Sequence, residues 1–145
     1  MAAENARRKA LAVARARGDA GDRLVLGADT LVTLDGAILG KPRDAAQAVE
    51  YVARLAGRAH QVVGGIALAR DGAILAEAVE ITEVVFRALS AAEVDEYVAR
   101  GEWEGRAGGY AIQGAGAALE RSITGDYLNV VGLPLARLLD LVAHS

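Results

Sequence analysis

Two Asp-Gly pairs, Asp35-Gly36 and Asp71-Gly72, each stand between two apolar, β-prone runs. Asp-Gly is a tight-hairpin signal, because the two central positions of a type I′ turn both need positive φ. The run 24–34 therefore returns through Ala37-Ile38-Leu39, and the run 61–70 returns through 73–87, as two antiparallel hairpins. The sequences around the two turns do not match, so the hairpins are similar devices and not an internal repeat.

The segments between the hairpins read as helices. Residues 2–17 are rich in Ala and Arg with no Gly or Pro, and Gly18 stops them; Ala6, Ala10, Val13 and Ala14 form a thin apolar stripe. Asp44, with Gln47 three residues on, opens a second helix through Ala56, its inner face Ala45, Ala48, Val49, Val52 and Leu55. Ser90 with Glu93 opens a third, ended by Arg100-Gly101. After a Gly-rich stretch, 117–121 reads as a short strand. Pro134 then starts a last helix with Leu135, Leu138, Leu139 and Val142 inward. Hairpins mixed with helices predict a mixed α/β (α+β) fold, a largely antiparallel sheet flanked by helices. No linker divides the 145 residues, so one domain over 1–145 is expected.

Composition narrows the function. An apolar share of 53% with 24% charged residues is globular, and a net charge of -3 argues against nucleic acid as the main partner. The absence of cysteine removes disulfides, thiolate metal sites and a Cys nucleophile. No apolar run has the length of a membrane span and no secretory signal opens the chain, so a cytoplasmic protein off the membrane is expected. His60 and His144 are too far apart in sequence to suggest a metal pair.

One acid is out of place. In Leu24-Val25-Leu26-Gly27-Ala28-Asp29-Thr30-Leu31-Val32 a carboxylate sits inside an otherwise buried strand, beside Gly and Ala. Burying an unpaired charge is costly, so Asp29 meets a partner, a metal or a substrate. Lys9 and Lys41 are the only lysines beside fourteen arginines, and Lys41 follows the return of the same hairpin. Gln113 lies in 102–116, a segment with five glycines and the only Trp, Trp103. Glycines there let backbone amides approach a ligand. A carboxylate with lysines suits phosphate chemistry, the acid holding a cation or orienting water and the ammonium groups neutralising phosphoryl oxygens. A Gln amide can pair with a nucleobase edge. Each also has a plainer reading. Asp29 could accept structural hydrogen bonds, Lys9 and Lys41 could be solvated, Gln113 could brace its loop, Trp103 could anchor the core, and Asp126 could cap the final turn.

Six segments in order carry a resemblance to a known family. They are Asn5-Ala6-Arg7-Arg8-Lys9-Ala10, Leu26-Gly27-Ala28-Asp29-Thr30-Leu31-Val32 and Ile38-Leu39-Gly40-Lys41-Pro42-Arg43 in the first half. Val85-Phe86-Arg87-Ala88-Leu89-Ser90, Arg106-Ala107-Gly108-Gly109-Tyr110-Ala111-Ile112-Gln113-Gly114 and Gly125-Asp126-Tyr127-Leu128-Asn129-Val130-Val131-Gly132-Leu133-Pro134 follow. With these the chain resembles the Maf family of nucleoside triphosphate pyrophosphatases. The resemblance implies a Maf/ITPase-like fold, a homodimer, and hydrolysis of a nucleoside triphosphate to the monophosphate and pyrophosphate with a divalent cation, Mg or Mn. By it Asp29 is the proton acceptor and a possible metal ligand, Lys41 and Lys9 contact phosphates, and Thr30, Gln113 and Gly114 contact the nucleotide. The Ile-Gln-Gly form resembles the subgroup acting on dTTP and UTP. The family's association with inhibition of septum formation implies an alternative, a nucleotide-binding regulator without turnover.

Two departures stand out. The family's first strand and Ser-x-Ser-Pro-Arg-Arg loop have no counterpart here, which predicts an N-terminally truncated form with an open apolar edge beside 24–32. Gly64-Gly65-Ile66 stands where Thr-Gly-Val is common, which predicts a looser pocket wall.

Overall fold

The computed structural model describes residues 1–17 and 24–143, the side chains of 14–17 excepted. Gly18 and His144, read above as a helix stop and a lone histidine, lie outside the described residues, as does the side chain of Ala14. In chain order the elements are α1 (Ala2–Arg17), β1 (Val25–Leu34), β2 (Ala37–Leu39), α2 (Ala45–Leu55), β3 (Ala59–Arg70), β4 (Ala73–Phe86), α3 (Ala91–Ala99), β5 (Glu120–Thr124), α4 (Tyr127–Val131) and α5 (Leu135–Ala143). The strands form one antiparallel sheet in the order β2-β1-β3-β4-β5. Both Asp-Gly turns have the expected geometry, with φ of 51° and 81° at Asp35 and Gly36 and 56° and 74° at Asp71 and Gly72.

The period of two along β1 and β3 separates two layers. Val25, Gly27 and Asp29 face α1, and so do their partners Ala69, Ala67 and Gly65. On the other face Val32, Leu34, Val62, Val84 and Phe86 pack with Ala48, Val52 and Leu55 of α2 and Val94, Tyr97 and Val98 of α3. Trp103 packs at the margin of this core, as expected of an anchor. Glycine sets how close α1 comes. A Cβ on Gly27 would lie 2.0 Å from the Ala6 carbonyl oxygen, and one on Gly65 would lie 2.3 Å from the Ala2 carbonyl carbon. Only strands bare at these two points allow the helix backbone to rest directly on them.

The outer side of β1 is open. β2 pairs with it only from Val32 to Leu34, and among the described residues no strand pairs with residues 25–31 on that side. Leu24, Leu26 and Ile38 are 40–44% exposed along it, an apolar edge as expected. No helix among the described residues is long and apolar enough to cross a membrane.

Several local expectations are corrected. The short strand starts at Glu120, because Gly114–Ala118 winds into a 3-10 turn first. α4 was not expected; Asp126 caps it by accepting a hydrogen bond from Leu128 N at 2.9 Å. The Asp44 cap is half of a box, since Gln47 Oε1 accepts from Arg43 N and not from Asp44 N. The Ser90–Glu93 box is complete. Ala45 is exposed on α2. On α5 no residue is buried and Leu135, Leu139 and Val142 are 40–59% exposed; the helix lies beside β4, held by Arg137 on Glu80 at 3.2 Å. Gly64 does not loosen a wall. The carboxamide of Asn129 fills the space, its Oδ1 1.9 Å from where a Cβ would stand and its Nδ2 donating to Val62 O, Glu80 O and Thr82 Oγ1.

His60, 2% exposed, lies against Phe86 and Tyr110 and shares a 2.5 Å hydrogen bond between Nε2 and the Tyr110 hydroxyl. Burial lowers its pKa from 6.5 to about 4. An unfolded chain takes up this proton near pH 6.5 and the folded one only near 4, so the stability from the neutral ring is whole above 6.5 and drains as pH falls to 4. The expected loss is roughly 3 kcal/mol. Urea titrations at pH 7.5 and 4.5 check it: His60→Gln should lose distinctly less stability between the two than the unsubstituted chain. Gly27→Ala should cost about 1–3 kcal/mol through its clash with α1, read as a lower thermal midpoint.

Candidate functional site

Asp29 is where the two layers and the open edge meet. Its residue in β1 points toward α1, and its neighbour Thr30 points toward the opposite face. Among the described residues no strand covers β1 here, and both border one cavity. Lys9, Asp29, Thr30, Lys41, Arg106 and Tyr110 line it, with Val130, Val131 and Gly132 closing the far wall.

The two oxygens of Asp29 are held by α1. Lys9 Nζ donates to Oδ1 at 2.9 Å and Asn5 Nδ2 to Oδ2 at 2.9 Å. Asn5 and Lys9 are four residues apart and so share one helix face. Lys9 Nζ also donates to the Ala28 carbonyl at 3.1 Å, satisfying one acceptor on the open edge. The carboxylate is only 14% exposed. Burial pushes its pKa up; the bonds from Lys9 and Asn5, the Lys9 charge and the Thr30 amide outweigh this and hold it below 3.8. The group is therefore ionised at neutral pH, and a carboxylate with roughly four acceptor positions keeps room for a further proton donor.

Lys41 reaches the cavity from the segment after β2. That segment is tied to the Gly-rich loop by Gly108 N donating to Gly40 O at 3.0 Å. Gly108 sits against Val32, with φ of 74°. The far wall is positioned from beneath: the buried Asn129 fastens α4 to β3 and β4 through the three bonds given above, and Val130 to Gly132 follow it.

Gln113 lines a neighbouring hollow with Glu102, Arg106, Ala111, Ile112 and Val131. Arg106, Ala111 and Val131 belong to both linings. Glu102 shapes this loop. Its carboxylate accepts from Ala115 N at 3.0 Å, Gly116 N at 3.2 Å and the Tyr97 hydroxyl at 3.2 Å. The Ala115 amide, ahead of the opposing effect of burial, lowers the Glu102 pKa, and the Gly116 amide and Tyr97 hydroxyl add to it. Tyr97, pushed up to about 12 by burial, accepts in turn from Ala111 N at 3.1 Å. Gly114 lines neither hollow. With φ of 65° and Glu102 Oε2 2.7 Å from its Cβ position, it lets the loop turn against that carboxylate.

Of the residues singled out by sequence, Asp29, Lys9, Lys41 and Thr30 thus share one cavity, Gln113 borders the adjoining one, and Gly114 stands behind it. Sequence reasoning missed Asn5, Glu102 and Arg106 as site residues. The i, i+4 spacing of Asn5 and Lys9 was a signal for the first. Nothing in residue type separates Arg106 from thirteen other arginines. Among the described residues no group of three or more His, Asp or Glu gathers as a metal cage. Among the described residues Asp29 is the one carboxylate lining the cavity it shares with Lys9 and Lys41. That donor set fits a cation brought in largely on substrate phosphates, the usual habit of Mg²⁺.

Comparison with known proteins identifies the family of the chain. A family model described as Maf-like protein matches residues 1–145. The dTTP/UTP pyrophosphatase of Salmonella typhimurium is 45% identical over 149 residues, covering 99% of this chain and 75% of that protein. The dTTP/UTP pyrophosphatase of Symbiobacterium thermophilum is 50% identical over 122 residues, or 83% of this chain and 62% of the relative. The nucleoside triphosphate pyrophosphatase of Xylella fastidiosa is 44% identical over 126 residues, or 87% and 67%. The aligned stretches thus take in 62–75% of these relatives' own lengths. On the match over its whole length and these identities, the chain belongs to the Maf family.

Proposed function

We propose that this chain is a nucleoside triphosphate pyrophosphatase that hydrolyses dTTP or UTP to the monophosphate and pyrophosphate. The observation that carries the reading is an ionised, nearly buried carboxylate on the rim of a cavity that Lys9, Lys41 and Arg106 also line, with an amide side chain in the hollow next to it. The names of the similar proteins from Salmonella typhimurium and Symbiobacterium thermophilum support the choice of nucleotides.

In this reading a water beside Asp29 attacks the α-phosphorus. A P–O bond forms to the water oxygen, and the bond from the α-phosphorus to the bridging oxygen breaks. Its electron pair leaves on pyrophosphate, and Asp29 takes the water proton. Asp29 serves because Lys9 and Asn5 keep it charged and fix its orientation. The same bonds make it a weak base, so the larger share of the rate enhancement falls to neutralising phosphoryl charge. Lys41 supplies this, together with the part of the Lys9 ammonium that Asp29 leaves free. Thr30 lies one residue from the acid and Gln113 borders the base-sized hollow, where its amide presents donors and an acceptor. A divalent cation bound with the phosphates, with Asp29 as its protein ligand, would polarise the phosphoryl oxygens. Homodimerisation belongs to the same reading, with the open edge of β1 as an available surface.

Pyrophosphate release from dTTP, UTP and the other nucleoside triphosphates, with Mg²⁺ or Mn²⁺ present, tests the proposal. Release from dTTP and UTP above the others supports it, and rates equal to background with all of them overturn it. Asp29→Asn should lower kcat by about 10² or more, since that is the usual worth of a positioned base, measured below the thermal midpoint of both forms. Lys41→Met, at an exposed position, should lower kcat/KM about tenfold or more, the scale of one charge-assisted phosphate contact, with folding unchanged.

A further inference from the structure

Arg106 is the one charged residue common to both hollows. It stands with Lys9, Asp29 and Lys41 around the first and with Glu102 and Gln113 around the second. Each hollow measures about 210 Å³. That is below the roughly 300 Å³ at which small-molecule sites begin. The two hollows share Arg106, Ala111 and Val131, so a nucleotide laid across both passes the Arg106 side chain.

The surrounding charges suit an anion at that crossing. Among the described residues Lys9 shares its charge with Asp29, Glu102 accepts from its own loop, and no carboxylate pairs with Arg106. An exposed guanidinium at a cavity rim with no acid to hold it is available for a ligand. Its backbone is nonetheless fixed. Arg106 N donates to Trp103 O at 3.1 Å, Gly109 N donates to Arg106 O at 3.1 Å, and Gly108 N donates to the carbonyl of Gly40 beside Lys41. A planar fork on a fixed backbone suits two phosphate oxygens at once, which an ammonium does less well.

We infer that Arg106 is a substrate-binding residue that grips the α-phosphate, the group joining the phosphate tail near Lys9 and Lys41 to the nucleoside beside Gln113. The assignment rests on the pyrophosphatase reading for the direction in which the nucleotide lies. It separates Arg106 from the two lysines, which would meet the tail.

Calorimetric binding of dTMP, dTTP and pyrophosphate to the full chain and to Arg106→Ala and Arg106→Lys, with Mg²⁺ present, tests it. dTMP carries the α-phosphate and nucleoside without the tail, and pyrophosphate is tail alone. Arg106→Ala should weaken dTMP and dTTP about tenfold or more and leave pyrophosphate within about twofold, with Arg106→Lys in between. dTMP affinity within about twofold of the unsubstituted chain overturns the inference, and so does an equal loss for pyrophosphate. Turnover of dTTP with dTMP binding unchanged in Arg106→Ala defeats this assignment alone. The expected binding pattern without any turnover defeats the hydrolase reading and keeps Arg106. No nucleotide binding by the unsubstituted chain defeats both.

Discussion

The contact between α1 and the bare backbone of Gly27 and Gly65 is what the site depends on. Close packing of a helix on a sheet normally goes through side chains on both surfaces. Here the carbonyls of Ala2 and Ala6 come near the strands, and the small Ala6 and Ala10 are fully buried. That closeness lets the short Asn5 side chain reach an oxygen of Asp29 and brings the Lys9 ammonium to the other. With larger residues at 27 and 65 the helix would stand off, Asp29 would keep its desolvation and lose its partners, and its pKa would rise. Fold and chemistry are coupled through two missing Cβ atoms.

The second constraint is the open side of β1. A strand paired on both sides shows its alternate residues to separate layers. Left open at 25–31, β1 presents Asp29 and Thr30 to the same cleft. The cleft is completed from the other layer by loops tied at single points: Gly108 to Gly40, Glu102 to the amides at 115 and 116, and Asn129 to β3 and β4. Each tie joins a segment that lines the cavity to one that carries the core.

Much of this was legible in the sequence, because its strongest signals are local. Asp-Gly turns fix hairpins through φ, Ser90–Glu93 fixes a helix start, and an acid in an apolar strand marks a site wherever the strand lies. What was not legible depends on long-range contact. The displaced half-cap at Gln47, the exposed leucines of α5 and the 3-10 turn ahead of β5 all reflect what packs beside them. Gly64 was read as a loosened wall because the carboxamide that fills it comes from 65 residues away (129 minus 64). Arg106 was invisible for the same reason: its interest lies in standing between two hollows, and residue type carries no trace of that.

Everything at the site follows from α1 holding Asp29 ionised at the mouth of the cleft. Carboxyl-carbon NMR titration of Asp29, in the unsubstituted chain and in Lys9→Met, measures this without substrate. The expected result is a midpoint below 3.8 in the unsubstituted chain and a clear upward displacement in Lys9→Met, where burial acts with one partner fewer. A midpoint at or above 3.8, unmoved by the substitution, would contradict it.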